Sequence, residues 1–358
     1  MLIAVAFIIA LFFAMNIGAS GTVASMGPAY GSGAIPKKRV AMILVGVFAL
    51  LGALSGGEVV RTIGQGIVPG EVLDIEIVVI VLGAACLTLF IANMLGIPLS
   101  TSEVVVGAIV GVGVAYQSLF WDWLLVIVSF WLITPFIAFF IGLIFGKWIR
   151  YAENRWKDLT GTGKWRKPLA FLLIAAGCIE AYAAGMNNVA NAVGPLVGVG
   201  LLDVTTAVLL GGIFVSLGAV LLGGRVMETN GKKITQLSLL QGSAVSLTGG
   251  SLVITASVFG LPVPLTQITT SAIVGIGTAE KGFHMWQQSI IKQIIKVWIV
   301  SPVFSLVMSY GLILLFKQAD YYSLFVITSV FIATVGFYSL YLSTRAERRS
   351  TYDEGGGI

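Results

Sequence analysis

The chain has 358 residues, 57% of them apolar and 10% charged, with a formal net charge of +5. A soluble domain carries about 25% charged residues, and at a mean hydropathy of +0.99 no soluble fold of this size can hide so much apolar side chain, so lipid is the solvent. The basic residues sit in gaps between apolar runs rather than on an aromatic-interleaved helix, which excludes nucleic acid and leaves them the job of setting membrane topology.

In chain order, Met1 to Met15 is apolar but lacks the positive start of a signal peptide. The stretch Leu2–Met26 is therefore expected to be the first membrane span. Its end, Gly18–Gly27, holds Ser20 and Gly21 among glycines that weaken a helix at membrane depth. Val40–Leu54 is the second span. Val72–Leu95 and Leu99–Tyr116 meet at Gly96-Ile97-Pro98 and read as the arms of a re-entrant hairpin. The second arm opens with Pro98 and then Ser100, Thr101, Ser102 and Glu103. Proline starts helices and Ser or Thr caps them. Three hydroxyls beside free N–H groups at a positive dipole end make an anion site. Leu119–Trp148 is the third span, followed by a polar linker, Arg150–Lys167.

Beyond the linker the sequence repeats itself. GASGTVASMGP from Gly18 returns as GMNNVANAVGP from Gly185, and GGEVVRTIGQGI from Gly56 as GGRVMETNGKKI from Gly223, both 167 residues later. GIPLSTSEVVVGAIVGVG from Gly96 returns as GLPVPLTQITTSAIVGIG from Gly260, 164 residues later. Three blocks in one order indicate a duplicated chain. Three crossings per half is an odd number, so the second half is expected to be inverted. With the N-terminus outside, all but Arg61 and Lys317 of the 21 Lys and Arg residues fall inside. The expected fold is an all-α polytopic membrane protein of two inverted repeats with broken helices and two re-entrant hairpins. Residues 1–149 form the first repeat, 150–167 the cytoplasmic linker and 168–316 the second repeat. Residues 317–342, holding the unmatched apolar run Tyr322–Leu342, add a transmembrane helix, and 343–358 are a cytoplasmic tail.

Inverted-repeat transporters hold substrate near the midplane on broken helices, and the repeated blocks supply the candidate groups. In the second copy Asn187, Asn188 and Asn191 put three amides within five positions, where lipid demands partners or a cavity; helix–helix glue is the competing use of such residues. The second hairpin keeps Pro262 and has Thr266 in place of Ser102. The anion-binding candidates are thus Ser20, Gly21, Ser100, Thr101, Ser102, Asn187, Asn188, Asn191 and Thr266. A buried carboxylate often stays protonated, so Glu58, Glu103 and Glu180 are candidate proton carriers. Glu58 sits at a span end, Glu180 could be a structural hydrogen-bond partner, and Glu103 beside the Ser100–Ser102 cap would repel an anion. Cys86 and Cys178 lie in apolar runs and His284 is the one histidine, so no metal or other cofactor is expected. There is no Ser/His/Asp set and no phosphate loop, which argues against an enzyme.

On these motif pairs the sequence resembles the inorganic phosphate transporter (PiT) family, with its G-A-N-D-V-A-N-x-x-G-P/T motif once per half and a P-x-S-T-T-H block after each hairpin. Gly18-Ala19-Ser20-Gly21-Thr22-Val23-Ala24 and Gly185-Met186-Asn187-Asn188-Val189-Ala190-Asn191 carry the likeness, with Gly31–Gly33 and Gly231–Gln236. The resemblance implies that the family's aspartates help hold sodium and phosphate. Here those positions are Gly21 and Asn188, and the histidines are Glu103 and Gln267. Phosphate near neutral pH carries a proton and needs an acceptor. Sulfate only accepts hydrogen bonds, so a site of amides, hydroxyls and N–H groups suits it. The sequence is therefore similar to the sulfate permease branch of the family. Proton symport is the expected coupling, with sodium the weaker choice. Phosphate or another oxyanion, or a passive anion channel, is the alternative. The expected partners are a small oxyanion and membrane lipid, with room for a homodimer and none for nucleic acid. The expected location is the inner, cytoplasmic membrane.

Overall fold

In hydrocarbon each backbone N–H and C=O must find its partner within the protein, and a long apolar segment does so by forming a helix. The computed structural model describes residues 1–94, 99–161, 163–228, 237–282 and 289–323, with 325, 326 and 329, and among them there is no strand. The hairpin corner expected at Gly96-Ile97-Pro98 lies outside this set, as do Gly231–Gln236, His284, most of Tyr322–Leu342 and the tail.

The first half contains α1 (Leu2–Ile17), continued by a π-helical turn at Gly18–Thr22, then α2 (Gly27–Gly31), α3 (Lys38–Leu54), α4 (Gly57–Gln65), α5 (Ile75–Met94), α6 (Thr101–Ala115) and α7 (Trp121–Arg155). Two 3-10 turns, Lys157–Thr160 and Gly163–Trp165, form the linker. The second half contains α8 (Arg166–Gly198), α9 (Val204–Leu222), a helical stretch at 224–228 (α10), α11 (Leu239–Val258), α12 (Leu265–Lys281) and α13 (Ser289–Ile313). The second half thus repeats the order of long helices of the first. Six described helices are long and apolar enough to cross a membrane, or seven if the bent pair α3 and α4 counts as one. Contacts divide the chain into two units, Met1–Ser309 and Tyr310–Ile358. The second unit holds the end of α13 and a π-helical turn at Leu314–Gln318, closed by Ala319 at φ 49°.

The long helices are apolar on nearly every side, which marks helices packed inward and wetted by lipid outward. On α7, Leu132, Phe136, Phe140 and Ile144 recur every fourth residue and are exposed, whereas Ala138, Gly142 and Gly146 are buried. The buried stripe packs on α12, where a Cβ on Gly142 would stand 2.4 Å from the Ala272 carbonyl oxygen.

The halves interlock at two equivalent crossings. A Cβ on Gly18 of the π-helical turn would stand 1.9 Å from Val215 O on α9, and one on Gly218 2.0 Å from Met15 O on α1. A Cβ on Gly185 of α8 would stand 2.0 Å from Ala49 O on α3, and one on Gly52 1.9 Å from Tyr182 O. Met15 and Gly18 lie 167 residues before Tyr182 and Gly185, while Ala49 and Gly52 lie 166 before Val215 and Gly218. Small residues let helix backbones touch in lipid, and each half uses them to grip the other.

One expectation about breaks is corrected. The first motif does distort its helix, through the π-helical turn and a turn at Ser25-Met26. The second, Gly185–Gly194, does not, since α8 runs unbroken past Pro195 to Gly198. Burial supplies the reason. Every residue from Ala183 to Val197 is buried, so packing and amide hydrogen bonds outweigh the weak helix propensity of Gly and Asn. The break expected there falls instead at the end of α3. The chain bends by 65° between Leu54 and Gly57, and the Tyr182 hydroxyl donates to Ser55 Oγ at the bend, at 2.7 Å.

Candidate functional site

Asn187, Asn188 and Asn191 are buried on α8, the first and last of them fully. Residues four apart share a helix face, so Asn187 and Asn191 look the same way, toward the start of α6. Asn187 Nδ2 donates to Ser102 Oγ at 3.1 Å, and Asn191 Nδ2 to Ser102 Oγ and to Thr101 Oγ1, each at 3.2 Å. Thr101 Oγ1 donates to Asn188 Oδ1 at 3.3 Å. From the other side Asn187 clamps the backbone before α12, donating to Val263 O at 2.9 Å and accepting from Val263 N at 3.1 Å. Asn187 therefore ties together three segments that are 85 and 76 positions apart. The buried Asn191 Oδ1 has no hydrogen-bond partner among the described residues.

Two helices begin at this cluster, and neither is closed by its own side chains. The N-cap of α6 is Ser100, extended at φ −86° and ψ 125° and buried, with no side-chain cap bond. This corrects the expectation of hydroxyl capping there: Ser100 holds the cap position without capping. The N-cap of α12 is Pro264, which carries no group able to cap. The first N–H groups of a helix lack intrahelical partners. With the dipole they favour an anion.

Among the described residues, no carboxylate oxygen is hydrogen-bonded to the amide and hydroxyl groups of this cluster. Glu103 follows Ser102 yet turns away, and its carboxylate accepts from Gln267 Nε2 on α12 and from Ser301 Oγ on α13. A helical step of about 100° separates neighbouring side chains, so the Glu103 carboxylate meets α12 and α13 while Ser102 meets the asparagines. Glu180, buried on α8 seven residues before Asn187, accepts from Thr269 Oγ1 at 2.9 Å. It lies against Gly249, where a Cβ would stand 3.4 Å from its Oε1.

Other candidates stand apart. Glu58 is exposed and paired with Arg61 at 2.7 Å, so as a buried proton carrier it is corrected to a solvated surface charge. Ser20 Oγ donates to its own helix, to Asn16 O at 2.8 Å, which leaves it bonded away from the amide cluster. Gly21 has nothing within 4 Å of the place a Cβ would take. Thr266 is half-buried in the first turn of α12, and the bonds that segment makes to the cluster come from the Val263 backbone instead. Val263, Thr269, Gln267 and Ser301 were not singled out as contacts by sequence. The spacing of 164 residues between Glu103 and Gln267 is the one signal that could have paired them.

The sequence matches the model of the phosphate transporter family over residues 17–309. The chain belongs to that family. It is 55% identical over 354 residues to "Sulfate permease CysP" of Bacillus subtilis (strain 168), covering 99% of each chain. Among solved structures it is similar to "The sodium-dependent phosphate transporter", with a TM-score of 0.77 and 25% identity over 88% of this chain and 99% of that one. This phosphate transporter family protein is a multi-pass helical membrane transporter, and the family's members are permeases rather than catalysts.

Proposed function

We propose that this transporter imports sulfate with protons, by alternating access of two inverted halves in the cytoplasmic membrane, its N-terminus outside. One observation carries the choice of anion: among the described residues, the amide and hydroxyl cluster of Asn187, Asn188, Asn191, Thr101 and Ser102 is joined by no carboxylate. A fully deprotonated tetrahedral anion wants donors alone. A hydrogen phosphate would find for its own O–H only neutral amide and hydroxyl oxygens here, Asn191 Oδ1 among them, and no carboxylate. Likeness to a sulfate permease along the whole chain supports the same choice. The uncapped ends of α6 and α12, one from each half, supply donors that an anion can bridge.

In the mechanism this geometry supports, sulfate displaces the internal bonds of the amide cluster and accepts from Asn187, Asn191, Thr101 and Ser102 and from the first N–H groups of α6. Asn187 then couples occupancy to the start of α12 through its pair of hydrogen bonds to the Val263 backbone. Glu103 and Glu180 carry the coupling proton, each bonded to α12 and neither among the groups that meet the anion. A proton on one of these carboxylates would offset the negative charge that moves with it.

The test is uptake of radiolabelled sulfate into proteoliposomes under imposed proton or sodium gradients, with phosphate as competitor. Uptake should rise as external pH falls, collapse with a protonophore and resist phosphate. Uptake that ignores pH and follows sodium would refute the coupling, and efficient competition by phosphate would refute the anion.

A further inference from the structure

A cavity of about 560 Å³ lies between α6, α7, α12 and α13, on the far side of α6 from the amide cluster. Equivalent residues of the two copies line it. Glu103 faces Gln267 and Val110 faces Val274, each pair 164 residues apart; Trp131 and Trp298 are 167 apart. Glu103 and Gln267 bond to each other there and are satisfied, and Trp131 Nε1 donates to Pro262 O at 2.8 Å. The remaining lining is mostly aliphatic and aromatic. Leu132, Phe136 and Val303 belong both to this lining and to the exposed surface, at 63%, 64% and 54% exposure. The opening therefore lies on the outer face of α7 and α13. Phe140 and Ile144 continue that face along α7.

We propose that this cavity is a binding site for the acyl chain of a membrane lipid. Apolar cavities of this kind stay dry, and an empty one forfeits packing on all sides at a cost that grows with its volume. Its size falls within the range of small-molecule pockets. The opening faces hydrocarbon, where acyl chains are the abundant species slender enough to enter. The headgroup stays outside, because Glu103 and Gln267 are already paired with each other and Glu103, the only charged group among the described lining residues, would repel a phosphate. A chain lodged there packs α6 and α7 of one half against α12 and α13 of the other, and keeps water from the carboxyl of Glu103.

The experiment reconstitutes the full chain in bilayers containing a phosphatidylcholine with a diazirine midway along one acyl chain. After photolysis, adducts are mapped by mass spectrometry. Labelling of Val110 or Val274, on the inner wall, is expected beside labelling of Phe140 and Ile144 on the open face. In V110F/V274F, which fills the cavity, inner-wall labelling should fall several-fold while the open face keeps its own. Should that variant fail to fold, Leu132→Trp at the mouth takes its place. Labelling confined to the open face would overturn the proposal, because another stretch of protein or a second copy then covers the cavity. Inner-wall labelling by a water-soluble diazirine would also overturn it. Neither outcome depends on which anion is transported.

Discussion

The N-termini of α9 and α11 are finished, and those of α6 and α12 are not. Asp203 caps α9, accepting from Thr206 N at 3.0 Å, and the Thr206 hydroxyl, bonded at 2.6 Å, and N–H hold its carboxyl below the usual carboxylate range. Ser238 and Gln241 close α11 with a reciprocal capping box. Both lie at exposed or half-buried positions, where water would have served the free N–H groups anyway. At α6 and α12 the ends are buried, and there the side-chain cap is missing. Among these four helices, the two capped ends are the accessible ones and the two uncapped ends are the buried ones. A buried helix end without a cap is costly to hold ready, and that cost is coherent if a transported anion completes it.

This contrast can be attacked directly. The largest effect should come from Ser100→Asp, which supplies α6 with the carboxylate cap that α9 already has. Thermal stability in detergent should rise while sulfate uptake falls by about 100-fold, since the new charge occupies the helix end and repels the anion. Uptake that survives this cap would separate the helix end from transport. G21D combined with N188D restores carboxylates at the two places where the family's pattern has them, and the space around Gly21 is open enough to take one. Sulfate uptake should drop at least about tenfold, and phosphate should become a competitor, read by isotope uptake. Asn187→Ala strips Val263 of its donor and its acceptor at once. An unpaired buried N–H costs about 1–3 kcal/mol, so uptake should fall about tenfold with the protein still monodisperse on size exclusion. Ser238→Ala removes a finished cap and should lower stability by about 1 kcal/mol, seen as a lower melting temperature with the KM for sulfate unchanged. Glu58→Gln should leave both within about 0.5 kcal/mol, as suits an exposed ion pair.

Much of this was legible in the sequence, for identifiable reasons. The apolar runs gave the helices, because lipid leaves the backbone no other choice. The repeated blocks gave the matching order of helices in the two halves. The asparagines drew notice because three amides at membrane depth are expensive unless something meets them, and α8 does bring them onto Thr101 and Ser102. What could not be read was long-range. Ser301 meets Glu103 across 198 positions, and Val263 meets Asn187 through its backbone, which leaves no mark on residue type. The unbroken course of α8 escaped for a related reason. Glycine and asparagine lower local helix propensity, but the burial that overrides them is supplied by α3, α4 and α11.

The reciprocal glycine crossings bear on how the chain is made. The segment that includes α1 leaves the ribosome before α9, yet the surface that receives Met15 and Gly18 is on α9, some 200 residues later. Until α9 is inserted, the opening helix waits in the bilayer without its mate, and α3 likewise waits for α8. Neither duplicate can finish alone, so a gene cut within the linker should yield two fragments that are degraded separately and rescued by co-expression.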